Sequence, residues 1–190
     1  MAENANEPIG ILLINKPGGW TSFDVCGKLR GILKTKKIGH TGTLDPMAEG
    51  VLPVLVGKAA KAADILPESG KAYIAGFKLG LRTDTQDNTG AVTAQSDKKA
   101  TPAQVAEALQ SFKGSIMQTP PMYSAVKVGG KKLYEYAREG KEIERASREI
   151  FIDSLVLKEF DYETQEGALE ISCSKGTYVR TLIEIGRAHV

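Results

Sequence analysis

The chain has 190 residues, 42% of them hydrophobic and 25% charged, with a formal charge of +2 at pH 7. That length suits one globular domain with a substantial core, or at most one and a fraction. No apolar run approaches the roughly 20 residues needed to cross a bilayer, and the short acidic start, residues 1–8, is unlike a signal or transit peptide. A cytoplasmic protein with no membrane association is therefore expected. Cys26 and Cys173 lie far apart in apolar patterns and read as reduced core residues. Both histidines are isolated and no Cys, His and carboxylate set has ligand spacing, so no metal is expected.

Charge is unevenly spread. Between Asp24 and Asp45 there is no acid, but there are five bases: Lys28, Arg30, Lys34, Lys36 and Lys37. A second basic run holds Lys127, Lys131, Lys132, Arg138, Lys141, Arg145 and Arg148, diluted by four glutamates. Each run is either ordinary solvated surface or a surface that tracks phosphates.

In chain order, residues 10–14 form a continuous apolar run that predicts a buried strand. The Asn15-Lys16-Pro17-Gly18-Gly19-Trp20 turn follows. Thr21 and Ser22 can cap a helix with Val25, Leu29, Ile32 and Leu33 on its buried face. Next comes a glycine-spaced loop, residues 39–50, carrying His40 and Asp45. On spacing alone, Asp45 before Pro46 suits a helix cap with Pro at the first helical position. Residues 51–56 read as a strand and 57–65 as a short Ala/Lys helix.

Residues 71–79 alternate, placing Tyr73, Ala75, Phe77 and Leu79 on one strand face. Residues 81–90 are dense in turn formers without calcium-loop spacing, and predict a structured turn. Thr101-Pro102-Ala103-Gln104 starts a helix with Val105, Leu109 and Phe112 as its stripe and Gly114 as its stop. Residues 118–148 are basic and tyrosine-bearing, an excursion from the sheet. Bases with aromatics suit RNA, whereas a solvated helical hairpin would do nothing. Two strands, 149–160 and 167–174, lead into Lys175-Gly176-Thr177-Tyr178-Val179-Arg180-Thr181-Leu182, a strand-to-helix junction. Strands interleaved with few helices make the fold α+β with a mostly antiparallel or mixed sheet.

Together these segments resemble the TruB family of tRNA pseudouridine synthases, the enzymes of T-loop uridine-55. The similarity is carried by residues 15–22, the Gly39-His40-Thr41-Gly42-Thr43-Leu44-Asp45-Pro46 motif, Lys71-Ala72-Tyr73, residues 118–127 and residues 175–182, in the family's order. The resemblance implies a mixed-sheet catalytic domain with flanking helices and an RNA-binding cleft, spanning residues 1–190. An RNA-gripping insertion is expected near 118–148. Asp45 would be the essential carboxylate, Arg180 its cationic partner and Tyr73 the ring that meets the uracil. His40 would brace the RNA loop that the target base vacates. Lys16 and Tyr178 would line the cleft, or Lys16 would only fix its turn and Tyr178 mainly pack. Lys131 and Lys132 would meet phosphates.

The implied reaction breaks the N1–C1′ bond, turns the uracil and rejoins it through C5. No atoms are gained or lost, so no cofactor is expected. The partner would be the T-arm stem-loop of tRNA, met by a monomer with no obligatory protein partner. Competing readings are a tRNA-folding helper without chemistry, and a nucleoside or glycoside hydrolase, which usually calls for a second carboxylate. The family usually continues past the arginine motif, often into a PUA domain, and carries an acid where Ile185 stands. A C-terminally truncated catalytic domain without a PUA domain is therefore expected.

Overall fold

The computed structural model describes residues 7–66 and 70–187. The start through Asn6 and the end from Ala188 lie outside them. The chain divides into two compact units, Met1–Pro67 and Glu68–Val190. Among the described residues no helix is long and apolar enough to cross a membrane.

The first unit is a three-stranded antiparallel sheet of order β1-β3-β2, formed by β1 (Gly10–Lys16), β2 (Ile38–His40) and β3 (Gly50–Val56). One face packs on helix α1 (Ser22–Leu33), where Val25, Cys26, Ile38, Leu52, Val54 and Val56 form the core. The apolar run in β1 is buried on that face only. Leu12 and Ile14 pack inward, while Ile11 and Leu13 are 54% and 71% exposed. The reason is that β1 is an edge strand of a sheet covered by one helix, so alternate residues face out.

Thr21 caps α1 through a reciprocal bond with Asp24, and Ser22 becomes the buried first residue of the helix. Ile32, expected on the buried face, is 61% exposed. The packed stripe is centred on Ser22, Cys26, Leu29 and Leu33, which leaves Ile32 at its rim. A 3-10 segment, Gly57–Asp64, ends the unit.

The second unit holds a four-stranded antiparallel sheet of order β4-β11-β10-β7. Its strands are β4 (Lys71–Lys78), β7 (Gly114–Gln118), β10 (Arg148–Asp161) and β11 (Glu166–Cys173). As the alternation predicts, Tyr73, Ala75 and Phe77 face the core cluster that includes Leu79, Ile152, Leu155 and Ile171. Helix α2 (Pro102–Gln110) supplies Val105 and Leu109, and its start is the expected box between Thr101 and Gln104. The two cysteines are free and buried.

Residues 81–95 are more than a turn. They form a hairpin of β5 (Leu81–Thr83) and β6 (Val92–Gln95). The excursion at 118–148 is a small β-hairpin, β8 (Lys127–Val128) and β9 (Lys131–Lys132), followed by the short helix α3 (Leu133–Arg138). Gly129 and Gly130 have φ of 59° and 83°, the left-handed pair that a two-residue hairpin turn requires. Leu133 is fully buried beneath it. Helix α4 (Val179–Arg187) closes the described chain. Every ladder among the described residues is antiparallel, and the fold is α+β.

Candidate active site

In the first unit Asp45 lies in the loop 41–49. Asp45 does not start a helix, because Ala48 N donates to Asp45 O at 3.0 Å and closes a single turn. The residues on either side of Asp45 are held from outside the loop. Ser22 Oγ accepts from Leu44 N at 3.0 Å and donates to Leu44 O at 3.3 Å. Pro46 O accepts from Gly19 N at 2.9 Å and from Lys16 Nζ at 3.1 Å. Gly19 delivers that N–H from a φ of 79°, which glycine adopts without strain. Thr41 N donates to Pro53 O on the central strand and anchors the start of the loop.

Lys16 is fully buried, and its ammonium also donates to Pro17 O at 2.9 Å and Trp20 O at 2.7 Å. Of the two roles the sequence leaves open for Lys16, fixing the turn after β1 is the one these bonds perform. Burial holds its pKa below the usual lysine value, and the carboxylates of Glu49 and Asp45 counter part of that effect. His40, at the end of β2, has Nδ1 2.7 Å from Gly42 O. A carbonyl only accepts, so Nδ1 carries the proton there, and in the neutral ring Nε2 is the acceptor.

In the second unit Tyr73 is half-buried on β4, opposite Ile171 of β11. Arg180 lies in the first turn of α4. Its Nη1 donates to Thr85 O at 2.8 Å and to Asp87 Oδ2 at 3.2 Å, and its Nη2 donates to Tyr123 O at 3.0 Å. Asp87 is itself gripped: its Oδ1 accepts from Thr85 Oγ1, Thr89 N and Thr89 Oγ1 at 2.8, 2.9 and 2.5 Å. Burial alone would raise the Asp87 pKa. The threonine hydroxyls, the Thr89 amide and the Arg180 charge together bring it below the usual carboxyl value.

Tyr178 has Arg148 over its ring at 5.0 Å and both backbone polar groups bonded to the Gln118 side chain. In the hairpin, Lys131 pairs with Glu139 and sits over the Tyr136 ring at 4.7 Å, while Lys132 lies 5.4 Å from the Tyr134 ring.

The sequence pattern gives Asp87 and Gln118 no role of their own, and gives Ser22 only that of a helix cap. Asp87 had a usable signal, since Thr85 and Thr89 flank it two residues either way, the spacing of side chains that bond a turn carboxylate. Among the described residues no group of three or more His, Cys, Asp and Glu side chains is placed to hold a metal ion.

The family described as "TruB family pseudouridylate synthase (N terminal domain)" matches residues 30–179. The chain belongs to the TruB family. The tRNA pseudouridine synthase B of Lactococcus lactis subsp. cremoris (strain MG1363) is 51% identical over 189 residues, which are 96% of this chain and 56% of that one. The enzyme of the same name from Bacillus licheniformis is 52% identical over 178 residues, covering 91% of this chain and 58% of the relative. Among solved structures, a chain of a Cbf5–Nop10–Gar1 complex superposes with a TM-score of 0.70 at 29% identity, covering 95% of this chain and 44% of that chain. The chain thus spans about half the length of the TruB-family relatives it matches.

Proposed function

We propose that this chain carries the catalytic part of an enzyme that isomerises the T-loop uridine of tRNA, position 55, to pseudouridine. The observation that carries the reading is the grip on Asp45. In a family of pseudouridylate synthases, the carboxylate of the glycine-spaced motif sits between Leu44, held by Ser22, and Pro46, held by Gly19 and Lys16. A carboxylate placed this rigidly suits work at the C1′ of a ribose, where positive charge develops as the base departs.

In this reading Asp45 assists departure of uracil from C1′. Tyr73 offers its ring to the flipped base, which must leave the folded T loop to react. Arg180 supplies a fixed cation, since a guanidinium stays charged at any working pH. His40 braces the loop that the base vacates, and Tyr178 shapes the wall beside Arg180. Lys131 and Lys132, with Tyr134 and Tyr136 beside them, meet the RNA backbone.

The test is Asp45→Asn with a T-arm stem-loop labelled with tritium at the uridine C5. Only isomerisation releases the label while the base stays attached. Release is expected to vanish while the stem-loop still binds. Product formed at a rate comparable to wild type would remove Asp45 from its role. A chain that refolds tRNA without any release of label would instead be a folding helper.

A further inference from the structure

We propose that Gln118 is a positioning residue for Arg180, acting through the Tyr178 peptide, and that it ties the root of the 118–148 insertion to that arginine. This rests on the role given to Arg180 above. Gln118 ends β7 and is 1% exposed. Its side-chain amide uses both of its functions on one residue: Nε2 donates to Tyr178 O at 3.0 Å, and Oε1 accepts from Tyr178 N at 2.8 Å.

Tyr178 O also accepts from Leu182 N at 3.0 Å, the bond that begins α4. Gln118 therefore fixes the origin of the helix whose first turn carries Arg180. One turn of helix rigidly transmits that placement to the guanidinium, which must reach Thr85 O, Asp87 Oδ2 and Tyr123 O together. Thr181, the next residue, adds a bond from its Oγ1 to Gln86 Oε1 at 2.7 Å.

Both ends of the insertion converge on the same turn. Gln118 and Tyr123 belong to its root. At its far end Arg148 donates to Gly176 O and covers the Tyr178 ring at 5.0 Å. An RNA held by the insertion thus bears on segments that directly hold the Tyr178–Arg180 stretch. An amide is required at 118 because the site needs one donor and one acceptor. A leucine supplies neither, and an ionised carboxylate accepts from Tyr178 N but turns lone pairs on Tyr178 O. Burial of the site makes each unmet group costly.

The experiment follows tritium release from the C5-labelled T-arm stem-loop by the 190-residue chain. Gln118→Leu is expected to lower kcat about 10- to 100-fold with KM changed less than about twofold, the signature of a displaced reacting group and not of lost binding. For Gln118→Glu, the ratio of its kcat to wild type is expected to rise as pH falls. Once protonated, the introduced carboxyl matches the amide as both donor and acceptor, and burial favours that form. A Leu variant within twofold of wild type, or a Glu variant with a pH-independent ratio, overturns the proposal.

If wild type releases no label, the proposed function falls. Positioning is then read separately, from the exchange of the Tyr178 amide and the NMR signals of the Arg180 guanidinium. Faster exchange and shifted Arg180 signals in the Gln118 variants support the proposal; spectra and exchange unchanged from wild type overturn it.

Discussion

Each unit holds a carboxylate in a turn, and different atoms secure the two turns. The loop of Asp45 is fixed through main-chain atoms of its neighbours, with Ser22 on Leu44 and Gly19 and Lys16 on Pro46. The loop of Asp87 is fixed through the carboxylate itself, on which Thr85, Thr89 and Arg180 all converge. A carboxylate that is the hub of its own turn is an anchor. The Asp45 turn is aimed by the main chain on either side of it, through Leu44 and Pro46.

The largest effect is expected at Lys16. Lys16→Met keeps the length of the side chain but withdraws the donor from three carbonyls at once, those of Pro17, Trp20 and Pro46. The relief of no longer burying a charge offsets part of this. We expect a loss of about 3 kcal/mol of stability, the upper end of the scale for hydrogen bonds made by a charged group, measured by urea unfolding of the variant. Turnover at temperatures where the variant stays folded is expected to fall as well, because Pro46 loses one of its two donors. A variant as stable as wild type would show that the clamp on the Asp45 loop does not depend on this ammonium.

Asp87→Asn probes the other arrangement. The amide keeps the shape but loses the charge that faces Arg180, at an expected cost of about 2 kcal/mol near neutral pH, the usual scale for a hydrogen bond to a charged group. The folded pKa of Asp87 lies below its unfolded value, so its contribution is complete above the ordinary carboxyl range. It is lost as pH falls through the lower folded value. The stability gap between wild type and Asp87→Asn should therefore close on the acid side, as urea unfolding over a pH series would record. A gap that stayed constant into strong acid would deny the carboxylate its charge-dependent role.

What was legible in the sequence follows the same division between local and distant causes. Alternation placed Tyr73, Ala75 and Phe77 on one face because strand geometry is local. Thr101 and Gln104 announced their helix because a capping box spans four residues. The motif holding Asp45 was legible from its family pattern, but its turn was not, since Asp-Pro starts helices and turns alike. Lys16 was hard to place because lysines are rarely fully buried, and its acceptors are carbonyls that any sequence possesses. Arg180 and Asp87 stand 93 residues apart, and nothing local to a run of Asp and Thr says which distant cation it will meet. The exposed half of β1 was missed because an apolar run shows where a strand is, not how many of its faces are covered.

The smallest expected change in the protein itself comes from Lys131→Ala combined with Lys132→Ala, and it sharpens the contrast between residues that build the fold and residues that meet a partner. Lys131 pairs with Glu139 and both lysines sit against tyrosine rings, yet these are surface contacts on a short hairpin, and exposed pairs of this kind stabilise little. The unfolding midpoint should stay within error of wild type, because Leu133 beneath the hairpin and the Gly129-Gly130 turn are untouched. Binding of the T-arm stem-loop should nevertheless weaken. Each lost phosphate contact removes about 0.7 to 0.9 from the slope of log affinity against log salt, so the double variant should be shallower by about 1.5. An unchanged slope would assign the pair to ordinary surface. A lowered midpoint would place both lysines with Lys16, among the residues that hold the fold together.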